Sequence, residues 1–152
     1  MSALEQLAHD IAQRALAQQE AALEELRART GTLLTASSLI ASFLGAEAIG
    51  RGGLSVWIVG ALGAFVGSVL LSIYVLLPKD DLIFALDAPV AYEALYELRD
   101  DEGELLRRVA YWTQSFRSRN QPTIDRLTRA FRMAGVALVA EIVLLALGLA
   151  LD

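Results

Sequence analysis

The residues with chemistry to offer in this chain are two carboxylates set in apolar surroundings and a series of arginines. Glu141 lies near the middle of the run Met133–Leu151, MAGVALVAEIVLLALGLAL. A charged, unpartnered side chain deep in hydrocarbon costs about 2.5 kcal/mol or more, so such a residue marks a functional position by default. The long apolar runs hold no Lys or Arg to pair with it. Glu141 must therefore carry a proton, bond to a hydroxyl such as Thr35, Ser37, Ser38, Ser68 or Ser72, or face water. Three roles follow: a hydrogen-bonded tie between helices, a water-facing ring in an oligomer, or a proton relay. Glu47 differs, because it sits at the end of its apolar run and four residues before Arg51, the helical ion-pair spacing in the favourable order. It reads as an interfacial residue.

Arg126, Arg129 and Arg132 recur every three residues just before the last apolar run. They can anchor that run, or grip anionic headgroups or a phosphate-bearing ligand, each contributing about 1 kcal/mol beside an anionic surface. His9 is the single histidine and reads as a surface residue. No metal-ligand spacing, no nucleophile beside a base and no phosphate loop is present, so the expectation is a non-enzyme without metal or cofactor. Gly60-x-x-Gly63-x-x-x-Gly67 resembles a dinucleotide fingerprint in letters alone. That fingerprint needs a preceding strand and a solvated helix start, and an apolar run supplies neither.

The elements around these residues follow from composition. The 152 residues are 55% hydrophobic and 20% charged, with mean hydropathy +0.47. A soluble domain spends about a quarter of its residues on charge. Three runs stand out: Gly31–Ile49, Leu54–Leu77 and Met133–Leu151. Each matches the roughly 17–25 apolar residues that cross a bilayer, and Pro78 closes the second. Burying three such helices in a soluble bundle would need a polar shell that a chain this short lacks. The expectation is an all-α integral membrane protein with three transmembrane helices. The first run begins after a charged, helix-compatible stretch, which makes it an uncleaved anchor rather than a signal peptide. Cysteine is absent, which excludes disulfides and thiolate sites. The net charge of −5 argues against nucleic acid as a partner.

Every one of the 13 Lys and Arg residues except Arg51 lies before the first run or between the second and third. Two crossings return the chain to its starting side, so both segments share one compartment, and the positive-inside rule makes it cytoplasmic. The C-terminus is then outside. Gly50–Gly53 turns spans one and two into a tight hairpin. Small residues on each, Ser38, Ala41, Ser42 and Gly45 against Gly60, Gly63, Ala64, Gly67, Ser68 and Ser72, are expected to pack the two together.

Residues 1–30 form a cytoplasmic amphipathic helix, capped by Ser2 with Glu5 and striped by Leu4, Leu7, Ile11 and Ala15, then Ala22 and Leu26. Gly31 alone separates it from span one, so the two can form one rod. Residues 78–121 make a cytoplasmic helical segment: the patch Leu82–Leu86 after Asp80 and Asp81, a helix from Pro89 with Tyr92, Leu95 and Tyr96, and a charged turn, Asp100–Gly103. A further helix carries Leu105, Leu106, Val109, Trp112 and Phe116 on one side and Arg107, Arg108, Arg117 and Arg119 elsewhere. Asn120 or Gln121 is expected to cap a fresh helix over residues 122–152, with Pro122 in its first turn.

The run Arg27-Ala28-Arg29-Thr30-Gly31-Thr32-Leu33-Leu34, the hairpin closed by Pro78, the helical cytoplasmic segment and Asn120-Gln121-Pro122-Thr123-Ile124-Asp125-Arg126-Leu127 together resemble the small bacterial membrane effectors of the SLATT and Pycsar transmembrane type. The resemblance implies a bacterial inner-membrane protein beside a nucleotide-signalled anti-phage system, which senses a nucleotide and oligomerises to damage the membrane. It would make Arg107, Arg108, Arg117 and Arg119 anion contacts. Three helices give too little wall for a transport path within one protomer, and small spans more often act as oligomers. The expected function is a homo-oligomeric regulated pore or membrane-disrupting effector with Glu141 near its centre. The alternative is a membrane-anchored scaffold whose cytoplasmic helices dock a protein partner.

Overall fold

A computed structural model describes residues 3–52, 55–79, 81–84, 93, 95–96 and 101–151. Among these residues the chain is all-helical: α1 runs Ala3–Gly52, α2 Val56–Leu76 and α3 Glu102–Leu151. The expected Ser2 cap and the positions Asp80, Ala85, Leu86, Pro89, Tyr92 and Asp100 lie outside the described residues, as do the side chains of Leu4, Glu5 and Arg51.

Local chemistry explains where α2 ends and α3 begins. Leu77, which precedes Pro78, adopts φ −60°, ψ 138°, the extended geometry that a following proline imposes. Its N–H still bonds the Ile73 carbonyl at 2.9 Å, so α2 stops without an orphaned donor. Asp101 caps α3, its Oδ1 accepting from the Glu104 N–H at 3.1 Å. A carboxylate there also complements the helix dipole.

α2 and α3 each contain a stretch long and apolar enough to cross a membrane, and 22% of the residues in each stretch are buried. The core helix of a soluble protein would be mostly buried. Here large side chains point outward instead, with Val56 76%, Leu70 62% and Val136 62% exposed. The apolar run Gly31–Ile49 lies inside α1 and is the most polar of the three runs, interrupted by Thr32, Thr35, Ser37, Ser38, Ser42 and Glu47.

The chain divides into two compact units, one of Met1–Glu24 with Lys79–Asp125, the other of Glu25–Pro78 with Arg126–Asp152. α1 continues without a break through Gly31. In the first unit the buried face of α1 is Ala12, Leu16, Gln19 and Leu23. Leu7 and Ile11, expected on that face, are exposed. The two sets differ by one residue, which is about 100° around a helix. The expected stripe counted aliphatic residues and passed over Gln19, whose amide is satisfied inside the packing.

α3 corrects a second expectation. No fresh helix starts at Pro122; the proline lies inside the 50-residue helix Glu102–Leu151. A proline in a helix interior loses one backbone hydrogen bond and crowds the preceding turn, at about 3 kcal/mol. Packing on either side holds the helix together: Asn120 and Leu127 are both fully buried. Asn120, expected as a cap, binds elsewhere. Its Nδ2 donates to the Ile83 carbonyl at 2.8 Å, and its Oδ1 accepts from the Ile83 N–H at 3.0 Å. Thr123 donates to Asp81 Oδ2 at 2.8 Å, so the segment after α2 is fastened to α3 at two points.

The second unit packs α1, α2 and α3 around Ile58, Ala61 and Leu145, with Ile40, Leu44, Leu144 and Leu149 against them. The close approaches are between α2 and α3. A Cβ on Gly148 would stand 3.4 Å from Ile58 Cγ1, and one on Gly60 3.4 Å from Leu144 Cδ1. Among the described residues, a Cβ on Gly63, Gly67 or Gly45 would meet nothing within 4 Å. Of the small residues expected to pack α1 against α2, Gly60 engages α3 instead. Ser38 and Ser42 are exposed, Ala64 is half-buried, and Ser68 donates to the Ala134 carbonyl of α3 at 3.2 Å. A stripe of small residues shows where another helix could come close, not which helix does.

Candidate functional site

The one acidic side chain buried in the second unit's described residues is Glu141, 1% exposed. α3 positions it between Ala137 and Leu145, one turn to either side, Leu145 being itself buried. α1 supplies its partner: Ser37 Oγ donates to Glu141 Oε2 at 2.6 Å. Ser37 is itself fully buried, so neither group can be served by surface water. Of the five hydroxyls the sequence offers to Glu141, the fold selects the one in α1 that points into the packing. Ser68 and Ser72 are equally buried, but Ser68 is committed to Ala134.

Among the described residues, Glu141 Oε1 has no hydrogen-bond partner. A buried acceptor left unmet costs about 1–3 kcal/mol, more when charged, so it demands an account. Beside it lies a cavity of about 250 Å³ between α1, α2 and α3. Ala41, Gly45, Ile58, Ala61 and Phe65 form its apolar wall, with Glu141 its one ionisable residue. Ser42 lines the rim, its hydroxyl donating to the Ser38 carbonyl at 2.8 Å. The arrangement is a greasy chamber with a buried carboxyl group in its wall.

The exposed face of α1 next to this chamber carries Thr35, Ser38 and Ser42. Each hydroxyl donates to the carbonyl one turn back, Thr35 to Gly31 at 3.0 Å and Ser38 to Leu34 at 2.9 Å. These hydroxyls satisfy themselves within the helix and can face lipid, water or a second chain.

The arginines do not converge. Arg107, Arg108, Arg117 and Arg119 are all exposed, and they project to more than one side of α3 over about 18 Å of its length. Arg107 pairs with Glu104 at 2.7 Å. A phosphate clamp needs cations gathered on one point, and within α3 these four are spread apart. Arg126, Arg129 and Arg132 are exposed along one broad face at the start of the second unit's part of α3.

Two features of the first unit escaped the sequence reading. Gln19, 8% exposed, donates through Nε2 to the Arg117 carbonyl at 3.2 Å and to Gln121 Oε1 at 2.9 Å. The clue was a polar residue at the same helical spacing as Leu16 and Leu23. The other is a cavity of about 620 Å³ lined by Ala8, Ile11, Ala12, Arg107, Tyr111 and Gln114, among others. Ile11 and Tyr111 stand open beside it, 58% and 71% exposed. No protein family, no curated protein and no solved structure matches this chain.

Proposed function

We propose that this chain is a three-span bacterial inner-membrane protein that self-associates into a regulated pore or membrane-disrupting effector, with both of its Arg-rich segments in the cytoplasm. The observation that supports it is the outward-facing apolar surface of the second unit. Phe43 of α1, Val56 and Leu70 of α2, and Val136 and Val139 of α3 are all at least half exposed. Lipid is the solvent that such a surface suits. Gly31–Ile49 joins α2 and the end of α3 as the third span, because it shares the unit with them and Phe43 and Leu39 point outward from it.

Regulation centres on Glu141. In this arrangement the carboxylate is held inside the protomer by Ser37, and the exposed hydroxyls of Thr35, Ser38 and Ser42 are free to line an assembly. Separation of α1 from α3 would present Glu141 to that path. Expression of the chain in bacteria is expected to make the inner membrane leaky to small ions. Glu141→Leu weakens the leak and Ser37→Ala strengthens it. Equal leak in wild type and both variants would remove Glu141 from the path, and no leak at all would overturn the pore.

A second reading is favoured by one feature, the open apolar cavity beside Ile11 and Tyr111. On this reading the chain is a membrane-anchored scaffold whose cytoplasmic unit docks a protein. The full chain in liposomes would then show no conductance, and Ile11→Glu with Tyr111→Glu would abolish retention of a specific partner.

A further inference from the structure

The first unit holds another cavity, of about 290 Å³, walled by α1, α3 and the stretch that follows α2. Two phenyl rings line it, Phe84 and Phe116, both half-buried. α1 adds Leu16 and Ala17 and, both exposed, Gln13 and Glu20. Hydrogen bonds hold these walls together. Gln19 of α1 donates through Nε2 to the carbonyl of Arg117, the neighbour of Phe116, at 3.2 Å. Asn120 binds the carbonyl and N–H of Ile83, the residue before Phe84, at 2.8 and 3.0 Å. The backbone that carries each ring is therefore fixed before any ligand arrives, which lowers the ordering cost of binding.

The lining selects its occupant by charge and by donor count. Glu20 is its one ionisable residue, and neither Lys nor Arg lines it, so an anion finds no counter-charge. A hard metal cation takes six or more oxygens, and no group of three acidic or histidine ligands exists among the described residues. A primary ammonium must give up the hydration of three N–H donors. The acceptors at hand are Glu20 and Gln13, since the Thr113 hydroxyl is buried and donates to the Val109 carbonyl at 2.9 Å. A quaternary ammonium has no N–H to satisfy. Its methyl groups pack on Leu16, Ala17 and the two rings, the ring faces attract its charge, and Glu20 supplies the counter-charge.

We propose that this cavity binds a small quaternary ammonium cation, held by Phe84, Phe116 and Glu20. A volume of about 290 Å³ admits on the order of nine or ten non-hydrogen atoms, taking ~30 Å³ for each water-sized group. That is room for a trimethylammonium head and a short arm. The site lies wholly in the first unit, so the proposal does not rest on the membrane reading.

The test uses the full chain in dodecyl maltoside, with choline as the probe. Its uncharged counterpart is 3,3-dimethyl-1-butanol, which has carbon in place of the nitrogen. Saturation-transfer NMR should show saturable choline binding, with the alcohol bound at least about ten-fold more weakly, the combined scale of the ion pair and the ring contacts. Glu20→Gln, at an exposed position that the fold does not need, should weaken choline about three-fold, the scale of an exposed ion pair, and leave the alcohol unchanged. Phe116→Leu should weaken choline about five-fold, the scale of one cation–π contact. The same chemical group reaches the protein as a free cation or as the headgroup of a choline lipid. Displacement of choline by added dioleoylphosphatidylcholine, but not by dioleoylphosphatidylethanolamine, would support the site with the headgroup as its source. Displacement by neither lipid would support it with the free cation. Equal binding of the two probes, choline binding indifferent to Glu20→Gln, or no choline binding at all would overturn the site.

Discussion

Ser37 and Glu141, 104 residues apart in sequence, share a 2.6 Å hydrogen bond that ties α1 to α3. Both residues are buried, and the bond uses one carboxylate oxygen and leaves the other unmet. That asymmetry sets the consequences of changing either partner. Ser37→Ala removes the donor and strands the carboxylate, at a cost of about 1–3 kcal/mol. Glu141→Leu removes the polar group instead, and replacing a buried polar residue by an apolar one of similar size can be neutral or stabilising. Thermal unfolding in detergent, followed by circular dichroism, should order the variants with Ser37→Ala lowest. Equal melting of Ser37→Ala and wild type would mean the bond contributes nothing.

The α2–α3 contact should be sensitive at its glycines and indifferent elsewhere. Gly148→Leu drives a side chain into Ile58 and Trp57, which a Cβ alone would already meet at 3.4 and 3.5 Å. Overpacking of this kind costs about 1–3 kcal/mol. Gly63→Ala, where an added Cβ meets nothing within 4 Å, removes a flexible residue from a helix and is expected to be neutral or to stabilise by up to about 1 kcal/mol. The same melting experiment separates them. Destabilisation by Gly63→Ala comparable to that by Gly148→Leu would contradict the packing described here.

Asn120 should fasten the segment that follows α2. Asn120→Ala leaves the Ile83 N–H and carbonyl without their partners, each loss being worth about 1–3 kcal/mol if the groups stay buried. Amide hydrogen exchange at Ile83 should accelerate strongly in the variant while amides in the centre of α2 keep their protection. Unchanged exchange at Ile83 would contradict the clamp.

The helical architecture was largely legible in the sequence, because long apolar runs and a closing proline admit few alternatives. The expected second run, 54–77, and the helix Val56–Leu76 differ by a residue or two at each end. A hydroxyl partner for Glu141 was one of three alternatives legible in the sequence, but which hydroxyl was not. Which of five candidates points inward depends on the rotation of α1, fixed by packing across more than a hundred residues. The helix start expected at Pro122 rested on a local rule, and the tertiary contacts of Asn120 and Leu127 override it. The stripe on α1 was misplaced by one position because Gln19 looks like a surface residue until its partners, Arg117 and Gln121, are known. Arg107, Arg108, Arg117 and Arg119 were expected as anion contacts only through the resemblance, and α3 disperses them around its circumference.

The arginines before the last apolar run carry a prediction of their own. If Arg126, Arg129 and Arg132 face anionic headgroups, replacing all three with Gln removes about 1 kcal/mol each at an anionic surface. The triple variant in nanodiscs should lose thermal stability in anionic lipid and show little change in zwitterionic lipid. Identical losses in the two lipids would assign these residues to packing within the chain.

The proposed topology is tested most directly by where the ends of the helices lie, and the absence of native cysteine makes that measurable. Single cysteines at Gln18, Gly50, Ser118 and Leu151 can be challenged in intact cells with a membrane-impermeant maleimide. Three crossings with a cytoplasmic N-terminus predict labelling at Gly50→Cys and Leu151→Cys, and protection of Gln18→Cys and Ser118→Cys until the inner membrane is opened. Labelling at Gln18 or Ser118 in intact cells, or recovery of the chain in the soluble fraction, would contradict it.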